Sequence, residues 1–171
     1  MIQISGTSGI SPAAMQLFVG SVHCYPATIA PRGTVALSGQ LLSRATYSSL
    51  YAFAAASGNV AATDGAWTAG QFSPGDGSTT FRIPDYRGEF GRFWDNGRGV
   101  DAARGIGAAQ SGAVESHTHT VVAYNSAGAG GGLAKNGTGD APINVATSGS
   151  GGAETRPRNV AYLACIFTGV A

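Results

Sequence analysis

What constrains this chain most is where its charge sits. Nine of its nineteen charged side chains fall within residues 82–104. There Arg82, Arg87, Arg92, Arg98 and Arg104 alternate with Asp85, Glu89, Asp95 and Asp101. Glycines 88, 91, 97 and 99 interrupt the same stretch, so no regular helix or strand fits it. Alternating Arg and carboxylate residues form planar, two-pronged hydrogen bonds, which can pin irregular backbone. Charge that is scarce elsewhere is therefore expected to fix loop geometry here.

The rest of the chain is poor in charge. Charged residues are 11% of 171, against roughly 25% in an ordinary domain. Glycine makes up 27 residues, Lys135 is the single lysine, and the formal net charge is +1. Nucleic-acid binding is not expected, because it needs concentrated positive charge to displace counterions. Charge-driven disorder is excluded by a hydrophobic fraction of 43%. No run of 18 apolar residues suggests membrane insertion, and the first residues lack the pattern of a secretory leader. Cys24 and Cys165 make no disulfide framework and read as two buried thiols. An apolar, glycine-rich, lysine-poor chain suits a dense β or loop-rich structural protein that buries surface against copies of itself.

Residues 1–14 read as a tether. Gln16–Tyr25 is β-rich and ends at Pro26, and Thr34–Leu37 is a short strand after the Pro31-Arg32-Gly33 turn. One helix is expected from Ser43, whose hydroxyl can cap the first turn. Tyr47, Leu50, Tyr51 and Ala54 give it an apolar face, and Gly58 stops it. Residues 59–79 read as a polar loop carrying Trp67, followed by a strand from Thr79 to Ile83. Residues 124–153 are low in complexity and read as a long loop excursion. Val160–Phe167 reads as a buried closing strand. The fold class is mainly β, with one short helix and long Gly-rich loops.

The sharpest chemical signal is Ser116-His117-Thr118-His119-Thr120. On a strand, alternate residues share a face, so His117 and His119 would stand side by side. Two imidazoles are too few for a closed zinc site. Three chains about an axis would supply six, an octahedral nitrogen set suited to a divalent transition metal. Taken alone, the pair reads more simply as surface or capping histidines. Trp67, Trp94 and Tyr86 carry aromatic faces able to stack on sugars. Packing is an equal reading for Trp94, while an exposed role is expected for Trp67 in its polar loop.

The run Thr79-Thr80-Phe81-Arg82-Ile83-Pro84-Asp85-Tyr86-Arg87-Gly88-Glu89-Phe90 leads through Asp95-Asn96-Gly97-Arg98-Gly99-Val100-Asp101 to Arg104, Gly107 and Gln110. Ser116-His117-Thr118-His119 then follows. Together these resemble the phage tail-collar domain found at the C-termini of tail fibres. The Pro31-Arg32-Gly33 turn, Ser38-Gly39-Gln40, the helix and the closing Glu154–Ala161 fit the same pattern. The resemblance covers roughly residues 16–120 and 153–171. It departs after the Pro-x-Gly turn, where Thr34–Leu37 replaces aromatic and apolar residues, and in the long excursion at 59–75.

The resemblance implies an intertwined homotrimer at the distal tip of a virion's tail fibre, assembled in the host cytoplasm. It implies a linker at 1–14 to an upstream fibre shaft, a collar-like domain at 15–120, a tip loop at 121–152 and a closing strand at 153–171. It implies that His117 and His119 of three chains surround an axial divalent transition metal, with iron favoured over zinc or nickel; some relatives hold none. Recognition sits on loops carried by rigid scaffolds. Receptor contacts are therefore expected at Trp67, Tyr124, Asn125, Lys135, Asn136, Asp140 and Asn144, against bacterial surface polysaccharide or lipopolysaccharide. The expected function is non-catalytic attachment. A structural collar, baseplate part or trimerisation cap is the alternative. A polysaccharide depolymerase ranks last, because the carboxylates are few and four of them lie among the arginines.

Overall fold

The computed structural model describes residues 16–114 and 155–170. The chain divides into two units, Met1–Gln110 with Val160–Ala171, and Ser111–Asn159. All elements named below belong to the first.

The strands are β1 (Val22–Tyr25), β2 (Thr34–Ala36), β3 (Leu41–Ser43), β4 (Thr80–Arg82) and β5 (Leu163–Phe167). One helix, α1 (Ser48–Ala56), and a single 3-10 turn at Asp64–Ala66 complete the set. The mainly β class with one short helix is observed.

β5 lies between β1 and β2 and pairs antiparallel with both. Its Cys165 and Ile166 are buried, as expected of the central strand. Ile166 stands opposite Val22 on one side and Val35 on the other, making one cross-sheet row. His23, Cys165 and Ala36 form the adjacent row, which faces the other way. Cys24 is opposite Ala164, so Cys24 and Cys165 point to opposite faces. Both thiols are free, and Cys24 is exposed, which corrects the expectation that both are buried.

β3 and β4 form a separate antiparallel pair. The core is built from Leu37, Leu42, Leu50, Ala54, Phe72, Phe81, Ile83 and Ile166. Tyr47 and Tyr51 pack against it, so the helical face read from the sequence is the buried one. The helix start differs. Ser43 pairs with Thr80 as the last residue of β3, and α1 begins at Ser48 without a side-chain cap. The Ser43 hydroxyl still accepts from the Thr46 N–H at 3.3 Å, so it caps the connecting turn instead. Gly58 follows the helix at φ +71°, in the left-handed region that glycine tolerates.

Three other expectations need correction. Only Val22–Tyr25 of the 16–25 stretch is strand, because turns at 16–21 and Gly20 at φ +84° precede it. The closing strand is Leu163–Phe167, and Val160 and Tyr162 are exposed. Residues 59–79 are a packed excursion: Val60 bridges Phe72, Ser73 bridges Arg82, and Asn59, Ala61, Phe72 and Ser73 are buried. No described helix is long and apolar enough to cross a membrane.

Candidate functional site

Arg82 ends β4 and organises the surface beside it. Its Nε and Nη2 donate to the two carboxylate oxygens of Asp64 at 2.8 and 2.7 Å, and its Nη1 donates to the Gly39 carbonyl at 2.9 Å. The Ser73 hydroxyl donates to the same carboxylate. These bonds hold the Asp64 carboxyl down at about 2, with the Arg82 hydrogen bonds as the largest cause. The guanidinium also lies 5.2 Å from the Trp67 ring centroid. Trp67 is half-buried, and its Nε1 donates to the Gln71 carbonyl at 2.6 Å. Gly39 runs so close that an added Cβ would meet the Trp67 ring at 2.9 Å. Trp67 is thus partly covered, where its polar loop suggested full exposure. Its indole is a buttress of the Arg82 clamp.

The charge-rich segment is pinned much as the sequence suggests, though by different partners. Arg87 grips Asp85 at 2.9 and 2.6 Å. Asp101 receives Arg104 at 2.9 Å and Arg92 at 3.4 Å. Among the described residues, Asp95 takes no arginine. Its carboxylate accepts the backbone N–H groups of Gly99, Val100 and Asp101 at 2.9, 2.7 and 3.0 Å, which lower its pKa. Asp76 does the same for the turn before β4, accepting from the Ser78, Thr79 and Thr80 amides and from the Thr79 hydroxyl. Its carboxyl sits far below the usual range. Five of the six described carboxylates are thus spent on holding backbone or arginine.

The structure places an apolar groove of about 240 Å³ on the face of the main sheet. It is lined by Val22, Leu37, Phe53, Phe72, Ile106 and Ile166, with Asn59 and Tyr86 among its polar members. Asn59 is 8% exposed; its Nδ2 donates to the Gly70 carbonyl at 2.8 Å, and its Oδ1 has no partner. Burial raises the Tyr86 hydroxyl pKa. A second, shallower concavity of about 400 Å³ lies between Trp94 and Arg104. The Trp94 Nε1 donates across it to the Arg104 carbonyl at 2.9 Å.

Of the residues singled out in the sequence, Trp67, Tyr86 and Trp94 are described. His117, His119, Tyr124, Asn125, Lys135, Asn136, Asp140 and Asn144 lie outside the described residues. Among the described residues, no three His, Cys, Asp or Glu side chains stand close enough to hold a metal. Sequence reading missed Asn59, Phe93 and the groove. The buried Asn59 carried no signal, being one polar residue in a loop. Phe93 carried a weak one, an aromatic pair with Trp94 inside a charged, glycine-broken stretch.

Comparison with known proteins adds one relative. The chain is 52% identical over 40 residues to StfE, an uncharacterised protein of Escherichia coli (strain K12). The matched stretch is 23% of this chain and 22% of StfE, so the chain spans about a fifth of that relative. No family model and no solved structure matches.

Proposed function

We propose that this chain is the receptor-binding tip of a phage tail fibre, a non-catalytic homotrimer that attaches to bacterial surface glycan. The observation that carries the reading is apolar surface left uncovered on a pinned scaffold. Phe90, Phe93, Trp94, Val100 and Ile106 are all exposed on the segment that the Asp85, Asp95 and Asp101 bonds hold in shape. A contiguous exposed apolar surface marks an interaction site. The motif resemblance over the same residues supports a threefold fibre end.

In this reading the trimer supplies the scaffold and residues 121–152 supply the contacts, at Tyr124, Asn125, Lys135, Asn136, Asp140 and Asn144. Trp67 belongs to the scaffold. Three sites on one tip, and several fibres per particle, raise avidity without new contacts. His117 and His119 of three chains form an axial nitrogen set suited to a divalent transition metal, iron before zinc or nickel. An upstream shaft joins at residues 1–14.

The test is competition. The purified trimer should block phage adsorption to its host, and deletion of residues 121–152 should abolish the block while trimers persist. If the deleted trimer competes as well as the intact one, the loop assignment fails. If the intact trimer never competes, a collar part or trimerisation cap replaces the attachment reading.

A further inference from the structure

Phe93 is 101% exposed, as open as a residue in an extended peptide. Its neighbours Phe90 and Trp94 are 59% and 49% exposed. No backbone N–H or C=O of residues 90–94 makes a hydrogen bond among the described residues. Exposed backbone groups of this kind bond to water and stay open to an incoming chain. Five successive residues here combine an unpaired backbone with an aromatic pair and a third ring. Yet the segment is held at its base, where Arg92 and Arg104 meet at Asp101 and the Trp94 Nε1 is tied to Arg104. It is a shaped knob rather than a loose end.

The same chain carries a matching hole. An apolar cavity of roughly 150 Å³ holds a benzene ring, and the groove over the main sheet measures about 240 Å³. Its walls are mostly aromatic and aliphatic, with Ser57, Asn59 and Tyr86 as the polar members, and the unpartnered Asn59 Oδ1 is an acceptor. β1 forms one edge of the three-stranded sheet and contributes Val22 to the groove wall. An edge strand presents the unpaired backbone that an extended segment needs.

We propose that residues 90–94 of one protomer dock on a second copy of this chain, with the Phe93 ring in the groove walled by Val22, Leu37, Phe53, Phe72 and Ile166. The segment's amides then face β1 and the Asn59 carbonyl. This rests on the proposed homotrimer and names the surfaces that build it. Knob and hole differ, so the contact is head-to-tail, which closes into a ring when the rotation allows. The area fits. An aromatic side chain buries about 150–250 Å², so the exposed fractions of Phe90, Phe93 and Trp94 amount to roughly 300–500 Å². A standard interface buries about 800 Å² per partner. In a closed ring each protomer makes the contact twice, once through this segment and once through the groove, where Val22, Phe53 and Ile106 are the exposed apolar residues.

The test uses full-length chains carrying Cys24→Ser. One, with a first tag, carries Gly91→Cys, where a side chain meets nothing within 4 Å and the Phe93 ring is kept; the other, with a second tag, carries Val22→Cys. They are co-expressed and treated with a short bis-maleimide. The proposal predicts a covalent species of about twice 17.1 kDa that bears both tags. Oligomers without that species overturn the docking and leave the homotrimer standing. A chain that stays monomeric by native mass spectrometry overturns both. Phe93→Asp supplies a second reading. Self-association should weaken at least tenfold while the far-ultraviolet circular dichroism of the chain is unchanged. Unchanged association would overturn the docking.

Discussion

Phe81 and Phe93 are the same residue twelve positions apart, and the structure gives them opposite tasks. Phe81 is 1% exposed at the middle of β4, with its ring 5.4 Å from that of Tyr51 and inside the core cluster. Truncating a buried Phe to Ala costs about 3–5 kcal/mol in lost transfer energy and cavity. Set against a net stability of about 5–15 kcal/mol, that is a large part of the whole. At a urea slope of about 1.5 kcal/mol per molar, the midpoint of Phe81→Ala should fall by about 2–3 M. Phe93→Ala removes a fully exposed ring, so unfolding at low protein concentration should change by less than about 0.5 kcal/mol. Its cost should appear instead as concentration increases, because assembly stabilises the folded chain by mass action. A buried aromatic anchor at an interface is worth about 2 kcal/mol or more. The assay is urea unfolding followed by far-ultraviolet circular dichroism over a protein dilution series, for the parent and both variants. If Phe93→Ala destabilises the dilute chain as much as Phe81→Ala does, the 90–94 segment packs within its own protomer, and the reasoning fails. If Phe81→Ala costs under about 1 kcal/mol, the assigned core is wrong.

Three further outcomes follow from the same geometry. Asp64 is held at about 2 against an ordinary 3.8, so the stability it contributes is complete above about 4 and is lost as pH falls through about 2; a carboxyl titration of Asp64 by NMR should find its midpoint near 2, and a midpoint near 3.8 would contradict the clamp. Gly70→Ala would bring a Cβ to 2.0 Å from the Gly107 carbonyl oxygen, forcing the 59–72 excursion away from Ile106 and Gly107. Strain of that kind costs about 1–3 kcal/mol, visible as a lowered thermal midpoint, whereas an unchanged midpoint would mean that the two loops do not touch. Cys165 is buried and Cys24 exposed, so a thiol reagent should modify no more than one cysteine per folded chain and two after unfolding; rapid modification of Cys165 in the folded chain would contradict the β1–β5–β2 sheet.

What could be read in advance was whatever depends on neighbours in sequence. Leu50, Tyr51 and Ala54 lie within one helical turn or two of each other, and their shared face is the buried one. The run from Leu163 to Phe167 is continuously apolar and central in the sheet. The turn at Gly33 and the stop at Gly58 need positive φ, and glycine stands at both. Legibility ends where a distant partner decides. Ser43 suits a helix cap, but Thr80 pairs with it and makes it strand. Arg82 looked bound to its own charge-rich stretch, yet its carboxylate is Asp64, eighteen residues earlier. Trp67 sits in a polar sequence but is half-buried because Arg82 and Gly39 arrive beside it. Phe93 lies in a charged, glycine-broken stretch that gives no burial pattern, and only the folded chain shows it fully exposed and outside the described core.

The central claim is that this chain works as a threefold assembly at a fibre end, and its mass tests that most directly. A native mass spectrum of the intact purified chain should show about 51 kDa, three times 17.1 kDa, with one bound transition-metal ion where His117 and His119 form the axial site. A metal-free trimer would keep the assembly and remove the role of those histidines. A monomer at 17.1 kDa, persisting at micromolar concentration, would contradict the account.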